Sequence, residues 1–158
     1  SERHIEEIKA ADPNLPYPAV NQIELHPLCT QSSLIPYLKS KGIVPVAYSS
    51  LAPTSSWRVD PGQASSKNKD DMSHSPIFQR ILAKYEKDAV IVTESQLLLK
   101  WAIQHGYPIL PKSSKPERIE DNAKLFHFTI SDQDMIELDA MDRNTPMAWP
   151  IGNPLDAP

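Results

Sequence analysis

The chain has 158 residues, enough for one domain with a real core, and 40% of them are hydrophobic. Sixteen basic residues against twenty acidic ones leave a net charge of −4, which speaks against a broad nucleic-acid surface or a polybasic membrane contact. One cysteine, Cys29, excludes an internal disulfide, fits a buried structural thiol and points to a cytoplasmic setting. No apolar run reaches the length of a membrane span, and no signal-peptide pattern opens the chain. The start at Ser1 rather than Met suggests truncation or processing.

In chain order, residues 2–10 predict a helix with Ile5 and Ile8 on one face. Residues 11–18 carry Pro13, Pro16 and Pro18 and form a connector. A strand follows over residues 20–24, ended by His26 and Pro27. Ser32 or Ser33 caps the next helix, which keeps Pro36 in its tolerant first turn and ends at Gly42. Residues 43–49 are a second, mostly apolar strand.

Residues 52–74 form a long polar loop rich in Ser, Lys and Asp, of the kind that serves as a lid or stays disordered. A helix opening at Pro76 carries the stripe Ile77, Phe78, Ile81, Leu82 and Tyr85. Residues 89–92 connect it to a further helix, which Thr93 and Gln96 start with capping-box spacing and Gly106 stops. Tyr107 to Leu110 is a third short strand, covered on both faces. Pro116 opens another helix, and Ser131 caps a last one carrying Met135, Leu138 and Met141. Residues 144–158 are an irregular tail.

The turn between the third strand and the Pro116 helix carries the chemistry. Lys112, Ser113 and Ser114 precede a helix start, where free amides and the dipole favour an anion. Arg118 and Asn122 lie four apart on one face of that helix, with Asp121 beside them. On spacing alone the stretch reads as a solvated basic turn rather than a phosphate cradle. No grouping of His4, His74, His105, His127 and Cys29 has metal-ligand spacing, and no Ser–His–Asp or Cys–His arrangement occurs.

Three blocks then carry a resemblance: NQIELHP (Asn21 to Pro27), PVAYSSL (Pro45 to Leu51) and LPKSSKPERIEDN (Leu110 to Asn122). In this order and spacing the chain resembles the aldo-keto reductases, and it looks like the C-terminal half of one. The resemblance implies an α/β fold, an incomplete parallel (β/α) barrel of about three strands plus helices. A full barrel has eight strands and about 250 residues. One partial-barrel domain over residues 1–158 is therefore expected, with two open strand edges.

The resemblance also implies the site. A glutamine matching Gln22 bonds the nicotinamide carboxamide, and a tyrosine matching Tyr48 stacks on its ring. Positions matching Ser49 and Leu51 run along the pyrophosphate. Those matching Lys112, Ser113, Ser114 and Arg118 hold the adenosine 2′-phosphate, and those matching Asp121 and Asn122 bind the adenine end. Outside this context Tyr48 reads as a core aromatic and Gln22 as a surface amide. Both cations together favour NADP(H). Ser50 and Ala52 depart from the Pro and Gly frequent after the tyrosine, and Lys115 is a poor N-cap.

The implied activity is reduction of small aldehydes or ketones to alcohols. The tyrosine, lysine, aspartate and histidine that perform it in the family belong to N-terminal motifs absent here. His26 belongs to the NQIELHP motif rather than to the family's catalytic-histidine motif and is expected to be structural. No catalytic residue is therefore expected in this chain, which is predicted inactive until a missing N-terminal half joins it. Trp57 and Trp149 either line an apolar substrate pocket or pack on the surface. The alternatives are an NADP(H)-binding module without chemistry, or a structural remnant whose sheet edges pair with another chain.

Overall fold

The computed structural model describes residues 1–54, 72–85, 91–144 and 146–148. The expectations for Trp57 and Trp149, for the middle of the long loop and for the end of the tail lie outside the described residues.

The element order is α1 (Glu2–Ala11), β1 (Val20–Glu24), α2 (Leu34–Ser40), β2 (Val44–Tyr48), α3 (Pro76–Tyr85), α4 (Glu94–Gln104), α5 (Pro116–Ala123) and α6 (Asp132–Asp139), with 3-10 turns at Ala52–Thr54 and Met72–His74. β1 and β2 pair in parallel, Gln22 opposite Val46 and Glu24 opposite Tyr48, joined through α2 as one βαβ unit. The architecture is α/β with a small parallel sheet.

Helix starts follow the local chemistry. Thr93 accepts the Gln96 amide at 3.2 Å while the Gln96 side chain accepts the Thr93 amide at 2.9 Å, closing the expected capping box of α4. Ser131 caps α6 by accepting the Asp134 amide. Ser1 and His4 form a further capping box at α1 that the spacing rule for Glu or Gln did not anticipate. Ser33 precedes α2 but makes no side-chain cap bond.

Two helix ends share one device. Gly42 and Gly106 adopt φ of +70° and +80°. The amide just beyond each glycine reaches back to the last turn, Ile43 to Leu38 at 2.9 Å and Tyr107 to Ala102 at 3.0 Å. This is the Schellman pattern, and both times it turns a helix directly into the next extended segment.

The expected third strand is corrected. Only one bridge joins it to the sheet: Ala47 donates to Pro108 at 2.8 Å and accepts from Leu110 at 3.1 Å. The preceding rung of a parallel ladder would need N–H groups from Pro45 and Pro108, and neither has one. Beyond the bridge Ser49 turns away with φ of +53°. The segment is not covered on both faces either, since Leu110 is 51% exposed. Among the described residues the sheet therefore has two strands, not three.

The core lies on the helix-facing side of the sheet. Ile23, Leu25 and Ala47 pack there with Leu34, Leu38, Phe78, Ile81, Leu97, Leu98, Trp101 and Leu138. α4 is buried over most of its circumference, as befits a helix packed on several sides. Two predicted stripes are narrower than expected: Ile8 in α1 and Ile77 in α3 are exposed, while Ile5, Phe78, Ile81 and Leu82 are buried. α6 is tied to α4 through Asp139 Oδ1, which accepts from Trp101 Nε1 at 2.7 Å and pairs with His105 Nε2 at 2.9 Å.

Candidate functional site

Alternation along β1 and β2 divides the sheet into two faces. Ile23, Leu25, Pro45 and Ala47 face the helices, and Val20, Gln22, Glu24, Val44, Val46 and Tyr48 share the other face. That second face is largely open: Val20 and Val44 are 50% and 44% exposed. Gln22 and Tyr48 thus lie on one accessible face, in neighbouring rows of adjacent strands. At the same end of the sheet Ser49 leaves β2, and the bridged segment runs from Leu110 to Lys112. Leu51 packs partly against the core, and the buried Ser50 hydroxyl has no partner among the described residues.

The basic turn is organised by Ser113, whose hydroxyl accepts the Lys115 amide at 3.1 Å. Lys115 itself puts no side chain on the first turn of α5, so that helix start carries no side-chain cap. Lys112 and Arg118 are exposed and enter no ion pair among the described residues. Asp121 and Asn122 are half-buried, and Asp121 is paired with Lys124 at 3.0 Å. A recess of about 360 Å³ between α5 and the bridged segment is lined by Ile109, Ile119, Asn122, Ala123, Leu125 and Phe126. Another recess, about 300 Å³, lies near Ser1, Cys29, Gln31 and Asn144, and none of the predicted site residues lines it.

The profile of the aldo/keto reductase family matches residues 1–143. An uncharacterized oxidoreductase of Schizosaccharomyces pombe is 35% identical over 153 residues, covering 96% of this chain and 48% of that protein. The chain belongs to the aldo/keto reductase family. An NADPH-dependent D-xylose reductase of Meyerozyma guilliermondii is 36% identical over 136 residues, covering 84% of this chain and 41% of its own length. Among solved structures, a variant of Gox0644 in complex with NADPH matches with a TM-score of 0.68 and 27% identity, over 90% of this chain and 44% of that one. The chain spans about half the length of these aldo/keto reductase relatives or less.

Within the NQIELHP block of this aldo/keto reductase family member, sequence reasoning singled out Gln22 but passed over Glu24. Glu24 is buried and pairs with the fully buried His26 at 2.9 Å. The signal was present: two residues apart on an extended chain, the side chains leave on the same side. The expected structural role of His26 is consistent with this burial and pairing. Cys29 is buried, and its thiol is pushed up to about 12 by burial and by the charges of Glu24 and Asp142, which leaves it inert at neutral pH. Among the described residues no cluster of His, Cys, Asp or Glu suits a metal ion, and no helix is long and apolar enough to cross a membrane.

Proposed function

We propose that this chain is the cofactor-holding half of an NADP(H)-dependent carbonyl reductase that converts aldehydes or ketones to alcohols in the cytoplasm. The observation that supports the reading is that Gln22 and Tyr48 share one sheet face, while the bridge at Ala47 and Ile109 leads the chain to Lys112 from beside the end of β2. In a (β/α) barrel that end is where ligands bind.

In this reading Gln22 bonds the nicotinamide carboxamide, Tyr48 lies against the ring, and Ser49 and Leu51 flank the pyrophosphate. Lys112, Ser113, Ser114 and Arg118 grip the 2′-phosphate, where the exposed cations and the start of α5 supply positive potential. Asp121 and Asn122 take the adenine end, and the apolar recess beside Asn122 is wide enough for a flat base. NADPH, when bound, supplies a hydride. The chain's own residues orient the nicotinamide, shield one of its faces and neutralise the phosphate.

No residue of this chain donates the proton to the substrate oxygen. That acid belongs to an N-terminal half-barrel, which also covers the open face of Val20, Val44 and Leu110. The single partial-barrel domain is therefore incomplete for turnover. Titration of the purified chain with NADPH and NADH tests the cofactor assignment, and NADPH must bind more tightly. Carbonyl reduction must appear only when a matching N-terminal half is added. Turnover by the chain alone sinks the division of labour, and equal affinity for both nucleotides sinks the 2′-phosphate cradle.

A further inference from the structure

Glu24 has no place in the nucleotide reading, yet its carboxylate is 2% exposed and fully engaged. Oε1 accepts the amides of Met147 at 2.7 Å and Ala148 at 2.9 Å, and Oε2 accepts Ala148 at 3.1 Å. His26 Nε2 lies 2.9 Å from Oε1 and orients the group, while His26 Nδ1 has no partner among the described residues. Burial alone would raise the Glu24 pKa, but His26 and the two amides outweigh it and hold it below the usual carboxylate value.

Glu24 stands opposite Tyr48 in the ladder and two residues after Gln22 on the same face. The amides it holds draw residues 146–148 to the C-terminal end of β1. There Met147 also packs partly against the core, and Pro146 lines the recess shared with Ser1, Cys29 and Gln31. The root of this segment is fixed differently. Asp142 accepts the Thr30 amide at 3.1 Å and the Thr30 hydroxyl at 2.6 Å, and the Arg143 amide donates to Leu28 at 3.1 Å. Root and tip have separate anchors, and the Met147 and Ala148 amides meet a side-chain carboxylate rather than a ladder.

We propose that Glu24 is the latch of a C-terminal strap: its carboxylate fixes the amides of residues 147–148 at the C-terminal end of β1, and its loss loosens the strap while the sheet stays closed.

Amide hydrogen exchange on the full chain tests it. In Glu24→Gln the shape is kept but one acceptor oxygen becomes a donor facing the strap amides. Met147 and Ala148 then exchange about tenfold faster or more, while Leu25 and Ala47 in the sheet change less than about twofold. Unchanged protection at Met147 and Ala148 overturns the proposal. Equal acceleration at Leu25 and Ala47 also overturns it, because Glu24 would then belong to the sheet's own stability.

Should the variant fail to fold, the unaltered chain decides. As pH falls through the lowered Glu24 pKa, the strap amides must lose protection before those of the sheet, and loss in step overturns the latch. His26, Cys29 and Asp142 are the titratable neighbours in this cluster. Failure of NADPH to bind would sink the nucleotide reading, while the exchange contrast still decides the latch.

Discussion

Gln96, in the first turn of α4, donates from Nε2 to the main-chain oxygen of Asp121 in α5 at 3.0 Å. The same nitrogen reaches the Lys124 oxygen at 3.1 Å, so one side chain closes the start of α4 and the end of α5. Gln96→Glu keeps the cap acceptor but sets a carboxylate oxygen against two carbonyls. It should cost about 2 kcal/mol in urea unfolding, the price of stranding buried acceptors. A loss below about 0.5 kcal/mol would mean that these bonds do not hold α5.

Arg118→Ala should weaken NADPH binding about tenfold to a hundredfold, the value of one or two charge-assisted bonds, and leave NADH within about twofold. Fluorescence titration with both nucleotides gives the contrast. Equal losses would show that Arg118 does not read the 2′-phosphate.

Asp134 clasps α6 to α3. Its carboxylate, 1% exposed, accepts from Tyr85 at 2.6 Å and Ser131 at 2.6 Å and pairs with Lys84 at 2.5 Å. Burial alone would raise its pKa, but these partners bring it down to about 2. A lowered carboxylate pKa adds stability that is complete above the ordinary value of 3.8 and fades as pH falls through about 2. Lys84 is half in solvent and screens the pair, so the contribution is about 1 kcal/mol. Asp134→Asn should flatten that part of the acid-unfolding profile between about pH 4 and 2. A profile identical to that of the unaltered chain would remove Asp134 from the acid response.

Val44 is 44% exposed on the open sheet face. Val44→Lys should leave the isolated chain folded, because the ammonium reaches water there. It should abolish activity restored by an N-terminal half, because closure would bury an unpaired charge at a cost of several kcal/mol. Full complementation by this variant would exclude burial of Val44 in the joined barrel.

The sequence by itself determined whatever depends on near neighbours. The 20–24 strand, the α4 capping box, the glycine stops at Gly42 and Gly106 and the Ser131 cap are set by residues a few positions apart, and each was legible there. The three site blocks were legible as motifs, because each is a run of contiguous residues. Their arrangement was not: only the β1–β2 register puts Gln22 and Tyr48 on one face. The third strand failed for a reason spread over two segments, since losing that rung takes Pro45 and Pro108 side by side. Glu24 shows the same limit at longer range. Nothing within several residues reveals that its partners are the amides of Met147 and Ala148, because a backbone N–H is the same donor in every residue but proline. Tertiary structure decided which amide reaches a buried carboxylate, and desolvation is what makes the choice matter.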